Sequence, residues 1–393
     1  MAYEYRGENS SYHDPLSGVQ VTQLTDYLGH SNHAYFTHPG WLDGGRALLF
    51  VSDRNNTTEL CRVDLESGVI RVLTEARTLN PGGKISCHAV HANPCRPEAC
   101  LWAGRTLHAV SLEDRSARAL FTLPEGFVTN LLGITADGRY VCCGVNEDPA
   151  KYYTSPAMTR SERREALLRA KPHSRIYRIP VDGGKAEIIH DERYLIGHIN
   201  TSPTRPDLLT FCHEGPWGGV DQRIWGLDIH SGKTWPIRLR DKPYPTAVGH
   251  EYWLSDGEHI GFHGQPTVAP DETGPDKKTT LGCIRYDNRD HVEFRTPGVS
   301  GHTHSLAFRR IVGDGGGVIR LWDVDGNELQ APRTLCAHHT LTGFQRFHPH
   351  PAFHPDGRRV LFVSSRGGYS QLYLADVPDD ISTLPEAGDG MPG

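Results

Sequence analysis

Long apolar runs are missing from this 393-residue chain, and none approaches the roughly 20 residues of a membrane-spanning helix. Residues 1–14 lack the basic start and apolar stretch of a secretory signal. Cysteine is sparse and odd in number, nine in all, with no Cys-x-x-Cys pair; only Cys142 and Cys143 are neighbours. That pattern argues against a disulfide framework and a zinc ribbon, and predicts reduced, mostly buried thiols in a cytoplasmic protein. Neither sign of charge is in excess. Lys and Arg number 41 and Asp and Glu 47, a net charge of −6, which predicts no nucleic-acid partner and no membrane partner. A G-x-S-x-G nucleophile turn and a P-loop are both absent.

Turn formers and histidine are abundant instead: 42 Gly, 27 Pro and 23 His. One pattern recurs. A polar turn separates two short β-rich runs at Asp43-Gly44, Pro97-Glu98, Asp137-Gly138, Pro206-Asp207, Asp256-Gly257 and Asp356-Gly357. A second turn closes the following hairpin near Asp64–Gly68, Asp182–Gly184, Asp228–Gly232 and Asp323–Gly326. Asp-Gly between apolar runs signals a hairpin, and short strands repeating at roughly 40–55 residues signal a β-propeller. A double gap before the last turn conceals one more unit around residues 300–330. The spacing therefore predicts an all-β fold, a single seven-bladed β-propeller domain over residues 1–393, with its blades at about 20–380 and a C-terminal tail at 381–393. Residues 148–171 read as a short helical insertion after blade three. Within it Thr159-Arg160-Ser161-Glu162 is a capping box and Glu162–Arg169 a helix. A second irregular stretch runs from Pro266 to Thr279.

Histidine recurs in one slot of the repeat, a few residues before the first turn. The slot holds His33, His88 and His91, His198, His250, His302 and His304, and His348 and His350. In a propeller this slot lies on the innermost strand, so residues far apart in sequence converge on the central channel. Alternate residues of a strand share a face, so His348-Pro349-His350 turns two imidazoles inward. Gln345 lies three residues upstream with an amide oxygen, and His304 comes from the neighbouring blade. Three nitrogens and one oxygen suit a divalent first-row ion. His213 and Arg223 predict an anion site, because the Arg fork matches a carboxylate; a surface pair of Arg223 with Asp221 is the alternative.

Several segments resemble the oligogalacturonate lyases, polysaccharide lyase family 22. They are Thr22-Gln23-Leu24-Thr25, Leu195–His198, Phe211–Pro216 with Asp221–Trp225, Gly249–Trp253, and above all Gln345–Pro351 followed by Asp356-Gly357. The likeness runs in order over nearly the whole chain. It implies a seven-bladed propeller that binds a divalent metal, commonly Mn²⁺, through His304, Gln345, His348 and His350. It implies His250 and Arg223 as catalytic residues, with His250 the Brønsted base, and Arg223, His213 and His198 as substrate ligands. The chain departs from the family between His304 and Gln345, where Gly313–Gly317 replaces a longer loop. In blade one, His33-Ala34-Tyr35-Phe36 matches only loosely.

The resemblance implies metal-dependent β-elimination on short 4-linked uronate oligosaccharides, digalacturonate foremost. The products would be 4,5-unsaturated or 5-keto-4-deoxyuronates, for pectin catabolism. Removing the weakly acidic C5 proton needs a base, and a cation on the C6 carboxylate. Three rival readings stand beside it. One is a lyase for another uronate-containing oligosaccharide. The second is a non-catalytic binding propeller of the TolB kind. The third is a hydrolase, which would use paired carboxylates, with Glu214 and Glu251 as candidates.

Overall fold

The structure, a computed structural model, describes residues 3–216, 219–240, 247–265, 278–297, 300–341 and 343–387. Seven antiparallel sheets follow one another around an axis. The innermost strand of each blade is, in order, Ser31–His33 with Trp41–Leu42, Ile85–Ala92, Phe127–Ile134, Ile196–Thr201, Ala247–Trp253, Thr303–His304 and Ala352–Phe353. The concealed unit is blade six, whose inner turn, Ser305 to Arg309, lacks the Asp-Gly signature. Blade seven closes the ring with both ends of the chain: Gln20–Gln23 pairs with Gln371–Asp376, and Ser10–His13 adds the outer strand.

Three expected boundaries move. The propeller begins before residue 20, since Ser10–His13 belongs to blade seven and Glu4–Tyr5 pairs with the edge of blade one at Ile70 and Arg71. The insertion interrupts blade three, between Tyr140–Glu147 and His173–Pro180, and does not follow it. Its helix, Arg160–Ala170, starts at the expected capping box, with reciprocal Thr159 and Glu162 bonds. The C-terminal segment is docked as far as residue 387: Ile381 and Leu384 are buried against blades six and seven, and Glu386 bridges to Arg333. Residues 266–277 of the second irregular stretch lie outside the described residues.

The core is a set of wedges between blades. Ala47–Ser52 is buried along its whole length because both faces of the strand meet a neighbouring blade. Leu49 and Val51 pack toward blade two, whereas Leu48 and Phe50 pack toward blade seven, as a two-residue period requires. A separate cluster plugs the axis: Tyr35, Phe36, Leu131, Tyr252, Leu254, Cys283 and Ala352.

Two inner strands are kinked where they carry histidine. The ladder slips between Gly197 and Asn200 and between Gly249 and Tyr252. At these bulges His198 and His250 take φ of 46° and 53°, and His350 takes 45° in the approach to its strand. Positive φ is unusual for a side-chain-bearing residue, and a bulge re-aims the side chain it contains. The kinks therefore turn these rings toward the channel mouth.

Candidate active site

His302, His348 and His350 meet where blades six and seven join, with one ring nitrogen of each within 4.8 Å of the others. Asp314 aims the His302 ring. Its Oδ2 accepts from Nδ1 at 2.9 Å, and its Oδ1 accepts from the His302 backbone N–H at 2.6 Å. This leaves Nε2 of His302 for the cluster. A carboxylate behind a histidine fixes the tautomer and raises ligand basicity, as metal sites require. The Gln345 amide lies 3.1 Å from His350 Nε2. Burial, then the neighbouring imidazoles, push the His350 pKa well below the ordinary 6.5. Imidazoles grouped this closely, with an amide beside them and a carboxylate behind, fit a divalent first-row ion.

His250 stands next to this cluster, its ring centre 4.6 Å from that of His302. Its Nδ1 meets His263 Nε2 at 2.8 Å. Burial, followed by His302, His263, His198 and Arg223, holds its pKa well below the usual value, so the ring is neutral at pH 7. Blade one supplies the wall these rings rest on. Phe36 lies 5.4 Å from His302 and 6.1 Å from His250, and Tyr35 lies 5.2 Å from His350 and 5.6 Å from His198.

The blade-four side of the mouth is built on charge. Arg223 is 5 % exposed and Glu251 0 %. The guanidinium reaches Glu251 Oε2 through Nε at 3.3 Å, Glu214 Oε2 through Nη1 at 3.3 Å and His198 Nδ1 through Nη2 at 3.4 Å. Despite burial, Arg223 holds both carboxyls below their usual range, so both are ionised. His198, Cys212 and Glu251 also lie close enough to hold a metal ion. The Arg223 cation already sits among them, however, and burial pushes the Cys212 thiol well up, which keeps it protonated. That cluster is an arginine mount.

A profile of the oligogalacturonate lyases matches residues 5–266. The chain belongs to the oligogalacturonate lyase family. It is 24% identical over 395 residues to the oligogalacturonide lyase of Pectobacterium atrosepticum, covering 94% of this chain and 96% of that one. The oligogalacturonate lyase of Dickeya dadantii gives the same identity and coverage. Among solved structures, an oligogalacturonate lyase in complex with manganese superposes with a TM-score of 0.82 at 21% identity, covering 97% of this chain and 100% of that one. The oligogalacturonate lyase of Vibrio parahaemolyticus gives 0.81 at 21%, covering 96% and 99%. At these identities the superpositions establish the shared propeller fold.

Within this lyase fold, two expected site residues sit elsewhere. His304 is away from the ligand cluster: its Nδ1 accepts from the Phe353 backbone N–H at 3.1 Å, and its ring stacks on Tyr252. Residues two apart on a strand are about 6.8 Å apart along it, so only one of His302 and His304 can meet His348 and His350, and it is His302. His213 is expected at the substrate, but both its nitrogens face carboxylates, Asp221 at 2.7 Å and Glu192 at 3.1 Å, and its ring stacks on Tyr194. It braces the loop that carries Glu214. His198, Arg223, His250, Gln345, His348 and His350 converge at the mouth as expected. Sequence reasoning missed Asp314, Tyr35, Phe36 and His263. Asp314 lies in a Gly-rich turn signal, and only the pairing of two strands puts it behind His302.

Proposed function

We propose that this chain cleaves short oligogalacturonates by β-elimination, with Mn²⁺ as its ion and His250 as the base. The observation that carries this reading is one juxtaposition: a half-buried neutral histidine beside a three-imidazole donor set. His302, His348 and His350, with the Gln345 amide oxygen, would hold the ion. When bound, the ion supplies positive charge for the uronate carboxylate as C5 loses its proton. His250 Nε2 accepts that proton. The C5–H electron pair becomes the C4=C5 double bond as the C4–O4 bond breaks. The departing oxygen takes a proton from solvent, and His250 returns its own to solvent.

Arg223 stays charged and fixed by Glu251 and Glu214, and with His198 it serves the anionic groups of the sugar at the mouth. The inserted helix adds another cation. Leu168 packs over Gly215 and Gly219, and Arg164 lies one turn earlier on the same helix face. Burial and Arg160 lower the Arg164 pKa. A second uronate carboxylate is a fitting partner for it. Cys61, Cys95, Cys100, Cys142, Cys143, Cys212, Cys283 and Cys336 are all free thiols. No described helix is long and apolar enough to cross a membrane. The free thiols support a reducing, cytoplasmic setting and a role in pectin catabolism there.

Digalacturonate with Mn²⁺ tests the reading. Ultraviolet absorbance of an unsaturated uronate should rise, and a chelator should abolish the rise. A saturated galacturonate product would mean hydrolysis and overturn the proposal. The ionised state of Glu214 and Glu251 weighs against that outcome, since hydrolysis needs one protonated carboxyl. A rise only with another uronate oligosaccharide would keep the chemistry and change the substrate.

A further inference from the structure

The proposed base has a partner that the elimination chemistry alone does not call for. His263 lies on the second strand of blade five, His259–Gln265, and pairs in register with Gly249, immediately before the bulge at His250. It is 2 % exposed. Its Nε2 is 2.8 Å from His250 Nδ1, and the two rings lie nearly parallel, at 16° with centres 5.0 Å apart.

Two neutral imidazoles in this contact share one proton, so one nitrogen donates and the other accepts. If His263 donated, His250 would carry its own proton on Nε2 and could not act as a base there. If His250 donates from Nδ1, its Nε2 keeps the lone pair. We infer that His263 is a positioning residue for the proton transfer: as the acceptor at Nδ1, it fixes the His250 tautomer that leaves Nε2 basic. This inference rests on the reading of His250 as the base.

The geometry adds a second effect. When Nε2 takes the C5 proton, the Nδ1–H of the resulting imidazolium still points at the His263 lone pair. That hydrogen bond becomes charge-assisted and strengthens as the proton moves. An interaction stronger in the transition state than in the ground state raises kcat and leaves KM alone. Burial keeps His263 neutral, with its pKa down at about 3, and so keeps the acceptor available. His263 is buried and His250 half-buried, so the protein shields most of the contact from water. The positive φ of His250 sets where its ring begins, and His263 sets how the ring is turned.

The test uses Mn²⁺-loaded protein, digalacturonate, and three variants. In His263→Phe the ring volume is kept and the acceptor lost. We expect kcat to fall about 10- to 100-fold, KM to stay within about twofold, and bound Mn²⁺ to be unchanged. His263→Gln, whose amide oxygen reaches the position of Nε2, should recover most of kcat. A His263→Phe variant with full kcat would overturn the inference, as would a Gln variant no better than Phe. Parallel loss of kcat, KM and metal would also overturn it, by showing a packing role. Should the Phe variant fail to fold, His263→Met removes the strong acceptor at similar volume, with the same expectations. His250→Ala separates the base role from the positioning role. If it keeps turnover, the base reading fails. If it is inert while His263→Phe is fully active, only the positioning role fails.

Discussion

The two halves of the channel mouth bury polar groups in opposite ways. On the blade-four side Arg223 meets Glu214 and Glu251, so each buried charge has a partner of opposite sign within the protein. On the side of blades five to seven, His250, His302, His348 and His350 crowd together, with the Asp314 carboxylate behind His302. Buried charge must be paired to be tolerated, whereas neutral imidazoles can stay close with lone pairs directed at a common point. The first half is therefore a finished mount. The second is a donor set, and it gains a cation without having to lose one. This difference decides between the two clusters close enough to hold a metal. It also matches the proposed division of work, with ion and proton in the imidazole half and the substrate at the arginine half.

The largest expected effect comes from emptying the imidazole half of its base. His250→Ala should lower the formation of unsaturated product by about 10²–10⁴-fold while leaving bound metal unchanged. Rapid-mixing absorbance and elemental analysis of the same sample check both.

Breaking the arginine half should act on stability and not on metal content. Glu251→Ala leaves Arg223 short of a buried partner and should cost about 3–5 kcal/mol in urea unfolding. Unchanged stability would mean that the pair is not as closed as its distances imply.

Asp314→Asn sharpens the contrast from the other side. Removing the carboxylate charge behind His302 should weaken Mn²⁺ binding by about 10- to 100-fold in a competition titration. The control is His304→Ala, which should keep full metal affinity and lose some stability.

The remaining effect is gradual and follows pH. Burial lowers the pKa of His33 and His88 from 6.5 to about 4 in the folded chain. Unfolded chains bind these protons first as pH falls. The stability held by the neutral rings is therefore complete above about pH 6.5 and is lost toward pH 4. Each ring contributes a slope of at most about 1.4 kcal/mol per pH unit. Denaturant midpoints across that window should fall, with no comparable fall between pH 7 and 8.

The propeller was legible because its signals are local and repeated: a polar turn, an apolar run, another turn. Blade six shows the limit, since Ser305 to Arg309 makes its inner turn without Asp-Gly and only the spacing revealed it. The His348-Pro349-His350 pair was legible from strand periodicity and from family resemblance. The choice between His302 and His304 was not, because both share one face of the strand, and their height along the channel is set by packing on Phe353 and Tyr252. Asp314 and His263 were hidden for a related reason. Each acts through a neighbouring strand, and cross-strand register is not written in the local sequence. His213 misled because a histidine beside a carboxylate-rich loop reads the same whether its nitrogens are open or already bonded.

The proposed function places the ion in the imidazole half. Diffraction from crystals grown with Mn²⁺, recorded on both sides of the manganese absorption edge, tests it most directly. One strong anomalous peak is expected among His302, His348, His350 and Gln345. A peak among His198, Cys212 and Glu251, or none at either cluster at full occupancy of the protein, would contradict it.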